Sequence, residues 1–241
     1  MAKSDIRITN FKLGVGIPTN FPMVWTEFFY SFAKMHKPAG YILLEPLDKH
    51  ERIDEIRNGL CRLARAAGCS HLFMCDVDMV YHPNTLRGLL ALDRDIAVGL
   101  AHRRYPPFDP LAMRGEPNTY EYVPLDEAYG DAPYQVDNTG SGCMLVKLRT
   151  LEAIAEPWFE FGDNPDPNVG GKMGEDITFY WKARKAGLDI WIDPRVEAEH
   201  LTLFRVGRDT HRLYAKMKQA QAEFEKEKQA ADGKAEEQSK P

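Results

Sequence analysis

The sequence has no C-x-x-C pair, no apolar run near the length of a membrane span, no internal repeat and no strongly basic stretch. Each absence excludes something. Four cysteines, Cys61, Cys69, Cys75 and Cys143, stand apart from one another, and three of them lie in apolar runs where a thiol behaves as a small buried hydrophobe. That pattern fits a reduced, cytoplasmic protein and neither a disulfide framework nor a zinc site. A bilayer-spanning helix needs ~20 apolar residues, and the chain offers none. The opening stretch MAKSDIRITNFKLGVGIP lacks an apolar core and a small-residue cleavage site, so no signal peptide is expected. A formal net charge of −5 gives no support to a nucleic-acid binder. What remains is an ordinary globular balance of 44% hydrophobic and 28% charged residues, enough for one sizeable α/β domain.

The apolar pattern alternates between short runs and helical spacing. Leu13 to Ile17, closed by Pro18, reads as a strand, and Phe21 to His36 as a helix. Tyr41 to Leu44 reads as a second strand. Ile53, Ile56, Leu60 and Leu63 fall three or four apart between Arg52 and Ala67, on one helical face. A third strand, His71 to Cys75, runs into Asp76-Val77-Asp78. Pro83 opens a helix through Leu92, and Ile96 to Leu100 is a fourth strand. This rhythm predicts a mostly parallel sheet with helices on both faces. Residues 101–135, rich in Pro, Tyr, Arg and Gly, read as a long functional loop. Further on come a strand at Cys143 to Val146, a helix near Leu151, and a second Gly/Pro/Asp-rich loop over 162–174. A helix from Glu175 to Lys185 and a strand from Asp189 to Ile192 follow. We expect a domain over residues 1–205, a charged C-terminal helix over 206–229 and a disordered tail over 230–241.

Asp76 and Asp78 leave the carboxyl end of an apolar strand, the edge where open α/β sheets bind ligands. Two carboxylates one residue apart repel, and a divalent cation removes that cost. Carboxylate oxygens suit Mg²⁺ or Mn²⁺, which also take phosphate oxygens. The competing reading gives one aspartate to capping the next helix and the other to a salt bridge. Glu175-Asp176 opens a helix, where carboxylates are favoured by the free N–H groups in any case. Arg57 and Arg103-Arg104 are either solvated cations or phosphate ligands.

These segments, taken in order, resemble the GT-A fold glycosyltransferases, family 2-like. Arg57-Asn58 followed by LFMCDVDMVYHPNTL resembles their donor half, with its D-x-D motif. Asn138-Thr139-Gly140-Ser141-Gly142-Cys143 resembles the glycine-containing entry to the strand beneath the acceptor. Gly174-Glu175-Asp176, Gly187, Pro194 and His200 resemble the G-E-D … G … P … H block. The resemblance spans about residues 10–202. It implies transfer of a sugar from a nucleotide-diphosphate sugar to a glycan or other hydroxyl acceptor. It also implies Mn²⁺ or Mg²⁺ held by Asp76, Asp78 and His200, and donor contacts from Thr19, Arg57, Asp76, Val77 and Arg104. Asp176 would be the general base, with Glu175 positioning the acceptor. Trp158 and Phe159 would form a lid beside the 162–174 loop, and Tyr105, Phe108, Tyr120, Tyr122 and Tyr134 either stack on sugar rings or pack in the core.

Two rival readings stand beside this one. A nucleotidyltransferase of related architecture would carry a basic, glycine-rich signature after the first strand, and Gly14-Val15-Gly16-Ile17-Pro18 has no basic cluster following it. A module that binds nucleotide or sugar without turnover would keep the fold and lose the chemistry. A modified DNA base is the minor alternative as acceptor. Leu213, Met217 and Phe224 give the C-terminal helix a thin apolar stripe, suited to its own domain or to a partner helix, the latter giving a homodimer, rather than to lipid.

Overall fold

The computed structural model describes residues 11–45, 51–164 and 171–203, together with Arg208, Leu213, Lys216, Met217 and Ala220. The chain divides into two units, Met1–Leu201 and Thr202–Pro241. In the second unit Thr202 and Leu203 are not helical, and the five described residues beyond them are helical and exposed. The rest of the expected 206–229 helix, and the 230–241 tail, lie outside the described residues.

The first unit is an α/β fold on one eight-stranded sheet, and its order places the site. Strands β1 (Leu13–Gly16), β2 (Ile42–Leu44), β3 (His71–Cys75), β5 (Ile96–Leu100) and β11 (Ile190–His200) run in one direction. With β4 (Met79–Tyr81) and β10 (Cys143–Lys147) the spatial order is β2-β1-β3-β10-β5-β11-β4, and β8 (Tyr134–Val136) adds onto β11. β10 is inserted antiparallel between β3 and β5. Its amino end therefore meets the carboxyl ends of its neighbours, and Gly142 arrives beside Asp76.

Side chains alternate across the sheet, as the two-residue strand period demands. Leu72 and Met74 of β3 join one core, while Phe73 and Cys75 join the other. The first core is covered by α2 (Ile53–Ala66) and α5 (Glu175–Lys185), the second by α1 (Thr26–Lys34) and α3 (Thr85–Leu92). Ile56, Leu60 and Ala64 recur every four residues on the buried face of α2. Asp54 and Glu55 in its first turn and Arg65 in its last complement the helix dipole. Gly68, at φ +66°, takes the left-handed turn that ends it. Full burial contributes ~1.5–3 kcal/mol for each large apolar side chain, so the two cores dominate stability.

Several expectations are corrected. The helix expected from Phe21 starts at Thr26, because Trp25 is an extended N-cap. Phe21, Met23 and Val24 are exposed rather than core residues. The last strand continues past Pro194 to His200. Its pairing with β5 shifts register between Asp193 and Glu197. A proline is tolerated at such an irregularity. The helix near Leu151 is a 3-10 turn, Leu148–Glu152.

The long loop of 101–135 contains β6 (Ala112–Arg114), β7 (Glu121–Tyr122) and α4 (Leu125–Ala128), and β6 and β7 form a small separate sheet with β9 (Asn138–Thr139). Strands of two or three residues carry too little periodicity to be read. Trp158 and Phe159 form no lid. Both are buried in the first core, with the Trp158 indole N–H donating to the Leu151 carbonyl at 2.9 Å and Phe159 stacked on Phe179. Tyr134 is also a core residue, whereas Tyr105 is exposed.

Asn58 is structural as well. Its amide donates to the Phe159 carbonyl at 2.7 Å and accepts from the Phe159 N–H at 3.0 Å, a buried pairing that pins the chain after β10 onto α2. Asn58→Ala leaves both backbone groups without partners, and should destabilise the fold by about 2–4 kcal/mol. Urea unfolding measures this; a loss below 0.5 kcal/mol would show that the pairing is dispensable.

Candidate functional site

The site is assembled at the carboxyl edge of the sheet, where helices following parallel strands also begin. Arg57 lies in the second turn of α2 with its side chain only 4% exposed. One terminal nitrogen, Nη2, donates to both oxygens of Asp76, at 2.9 and 3.0 Å. Its Nε faces Glu175 Oε1 at 3.6 Å, an ion-pair separation longer than a hydrogen bond. A single buried guanidinium thus joins the end of β3 to the start of α5, two motifs about a hundred residues apart in sequence. Burial opposes the charge on Arg57, but the carboxylates of Asp76, Glu175 and Asp176 outweigh it and raise its pKa.

Asp176 is the perturbed acid of the group. Burial raises its pKa, and the Glu175 carboxylate adds to the shift. A hydrogen bond from the Ile177 N–H at 2.7 Å and the nearby Arg57 pull the other way, leaving a value of about 6. A carboxyl so poised is ionised at neutral pH yet basic enough to take a proton.

The turn carrying Asp76 is fixed by backbone contacts. The Asp76 N–H donates to the Gly142 carbonyl at 3.0 Å, and the buried Tyr81 hydroxyl is shared between the carbonyls of Asp76, at 2.9 Å, and Gly142, at 2.6 Å. A Cβ on Gly142 would stand 2.4 Å from Met79 Sδ and 3.1 Å from Asp76 Oδ2, so any larger residue must displace one of these side chains. Tyr81 and the buried Tyr180, whose hydroxyl donates to the Gly140 carbonyl at 3.1 Å, are supports that the sequence did not advertise.

Asp78 lies in the turn just before β4, and His200 ends β11, the strand paired with β4. His200 pairs with Met79, and the Leu201 N–H donates to the Asp78 carbonyl at 2.7 Å. The Asp78 carboxylate holds Arg104 Nη2 at 2.5 Å. His200 Nδ1 bonds to the His102 carbonyl. A carbonyl can only accept, so Nδ1 donates, and in the neutral ring that leaves the lone pair on Nε2. This is the tautomer a metal-binding histidine needs, with its other nitrogen held by a carbonyl. Among the described residues, no three His, Cys, Asp or Glu side chains are placed together to hold one ion. Asp76, expected as a ligand, is engaged by Arg57. Oxygen and imidazole donors fit Mn²⁺ or Mg²⁺ in kind, and Asp78 and His200 lie on neighbouring backbone segments, each side chain engaged by a residue of the 102–104 stretch.

The other expected residues are dispersed. Val77 packs against the second core. The Thr19 hydroxyl accepts from the Phe21 N–H within its own turn after β1. Arg103 turns to Asp109 at 3.8 Å. A cavity of about 620 Å³ lies elsewhere, between α3 and the irregular stretch of β11, lined in part by His82, Thr85, Gly88, Asp193 and Arg195. None of the four acids at the carboxyl edge lines it.

No protein-family model matches the sequence, and no curated protein matches it. Solved structures do. The crystal structure of GalNAc-T7 with UDP, GalNAc and Mn²⁺ superposes with a TM-score of 0.54 at 13% identity, over 81% of this chain and 44% of that one. The fold is that of the GT-A glycosyltransferases. This chain spans less than half the length of GalNAc-T7. A197 from STIV also matches, with a TM-score of 0.46, 13% identity, and coverage of 83% of this chain and 97% of that one.

Two outcomes follow from the geometry. Gly142→Ala must displace Met79 or Asp76, and should lower the unfolding midpoint in urea; an unchanged midpoint would mean that β10 tolerates a side chain here. For Asp176 the folded pKa of about 6 lies above the ordinary 3.8. The favourable proton binding is therefore fully present below pH 4 and lost as pH rises through 6. Asp176→Asn should then be more stable than the wild type at pH 8, on the order of 1–3 kcal/mol. The gap should close by pH 4, and a gap independent of pH contradicts the assignment.

Proposed function

We propose that this protein is a metal-dependent glycosyltransferase, moving a sugar from a nucleotide-diphosphate sugar to an acceptor hydroxyl. The observation that carries this is Arg57, which binds the end of β3 through Asp76 and faces Glu175 at the start of α5. The acids read as donor-side and acceptor-side thereby share one edge of the sheet. The GT-A fold, and a fold neighbour crystallised with UDP, GalNAc and Mn²⁺, support the same reading.

In this mechanism Asp78 and His200 would hold Mn²⁺ or Mg²⁺, which when bound offsets the charge gathering on the leaving diphosphate. Asp76, anchored by Arg57, keeps the strand end rigid beneath the donor. Arg104 supplies a guanidinium for phosphate oxygens. Asp176 takes the proton of the acceptor hydroxyl as that oxygen bonds to the anomeric carbon and the sugar–phosphate bond breaks. Glu175, paired with Arg57, orients the acceptor. Proton removal of this kind contributes ~10²–10⁴-fold to rate.

The test is nucleotide release from a panel of nucleotide-sugars. Asp176→Asn should reduce turnover by at least about 100-fold with little change in donor binding. Asp78→Ala should abolish both turnover and Mn²⁺-dependent donor binding. EDTA should silence the wild type and Mn²⁺ restore it. Full activity in either variant removes the role given to that residue.

A further inference from the structure

We propose that Arg104 is a latch on the cation site: it occupies Asp78 until a diphosphate arrives, then moves to the phosphates and frees the carboxylate for the ion. This rests on the reading of Asp78 as a metal ligand. Its basis is the contrast between two arginine–aspartate pairs three angstroms or less in length and otherwise unlike. Arg57 is 4% exposed, binds both oxygens of Asp76 and is also held by Glu175. Removing the buried guanidinium would leave two part-buried carboxylates without a counter-charge, so that pair is permanent. Arg104 is 45% exposed and makes one short ion pair, to Asp78 Oδ2. Asp78 is itself only 19% exposed, so the contrast lies in the arginine: Arg104 reaches solvent through a single ion pair and can exchange to another acceptor, and a pair with one solvent-exposed member contributes on the order of 1 kcal/mol.

The chain around Arg104 suits such an exchange. The base of its loop is pinned: Leu111 N–H donates to the Ala101 carbonyl at 2.7 Å, Arg103 N–H to the Asp109 carbonyl at 2.9 Å, and the His102 carbonyl accepts from His200. Beyond that base, Arg104 and Tyr105 project as exposed side chains. The tip can therefore redirect a guanidinium without disturbing the histidine. A guanidinium and a divalent ion compete for the same Asp78 oxygens. A diphosphate offers both of them ligands at once, because it accepts hydrogen bonds from arginine and coordinates the metal. The consequence is that ion and diphosphate bind cooperatively, and that the ion alone binds weakly.

The experiment is Mn²⁺ binding followed by the electron paramagnetic resonance signal of free Mn²⁺, with and without inorganic pyrophosphate as the probe. Wild type, Arg104→Gln, Arg103→Gln and Asp78→Asn are compared. Without pyrophosphate, Arg104→Gln should bind Mn²⁺ up to about fivefold more tightly than the wild type. Arg103→Gln loses the same charge from the neighbouring position and should bind Mn²⁺ as the wild type does. With pyrophosphate, the wild type should gain affinity for Mn²⁺ and Arg104→Gln should gain less. Equal shifts in the two arginine variants, or no shift in Arg104→Gln, would overturn the latch while leaving the cation site intact. Mn²⁺ binding that Asp78→Asn leaves unchanged would instead sink the cation site, and the latch with it.

Discussion

The site depends on one buried guanidinium. Arg57 stands among Asp76, Glu175 and Asp176, three carboxylates facing one positive charge. Such an arrangement is costly in a desolvated place unless protons or cations redress it. The protein redresses it twice. Arg57 is held firmly charged, and Asp176 is pushed up to about 6, so that part of the negative charge is taken by a proton as pH falls towards 6. The electrostatic burden that makes the cluster expensive is also what makes Asp176 a usable base. Remove Arg57 and the strand end and helix start lose their common anchor.

Topology explains why so few contacts suffice. The antiparallel entry of β10 between β3 and β5 brings Gly142 under Asp76, and the Tyr81 hydroxyl ties both backbones together. The long β11 then passes beyond its irregularity to pair with β4, which sets His200 beside Asp78. The sheet therefore brings the end of β3, the turn before β4 and the end of β11 to one edge, and α5 adds its two acids there.

Much of this was legible in the residues. The strands His71–Cys75 and Ile96–Leu100 and the helix Glu175–Lys185 have the bounds read from the sequence, because the strands are apolar runs and the helix is bracketed by Gly174 and Gly187. The adjacency of Asp76 and Glu175 was suggested only by motif order, since no local pattern reveals that Arg57 reaches both. Asn58 and Trp158 carry the same ambiguity in the opposite direction. Polar and aromatic side chains beside functional motifs invite a role at the site, yet here they close backbone hydrogen bonds in the core. The partner of Asp78 was out of reach as well, because an exposed arginine on a loop finds its acid only in three dimensions.

The most direct test of this account is a crystal of the full chain soaked with Mn²⁺ and UDP, with diffraction measured at the manganese edge. The account predicts an anomalous peak against the Asp78 carboxylate and His200 Nε2, with Asp76 still on Arg57. A protein that holds UDP at this edge with no manganese there, Arg104 still closed on Asp78, would contradict it.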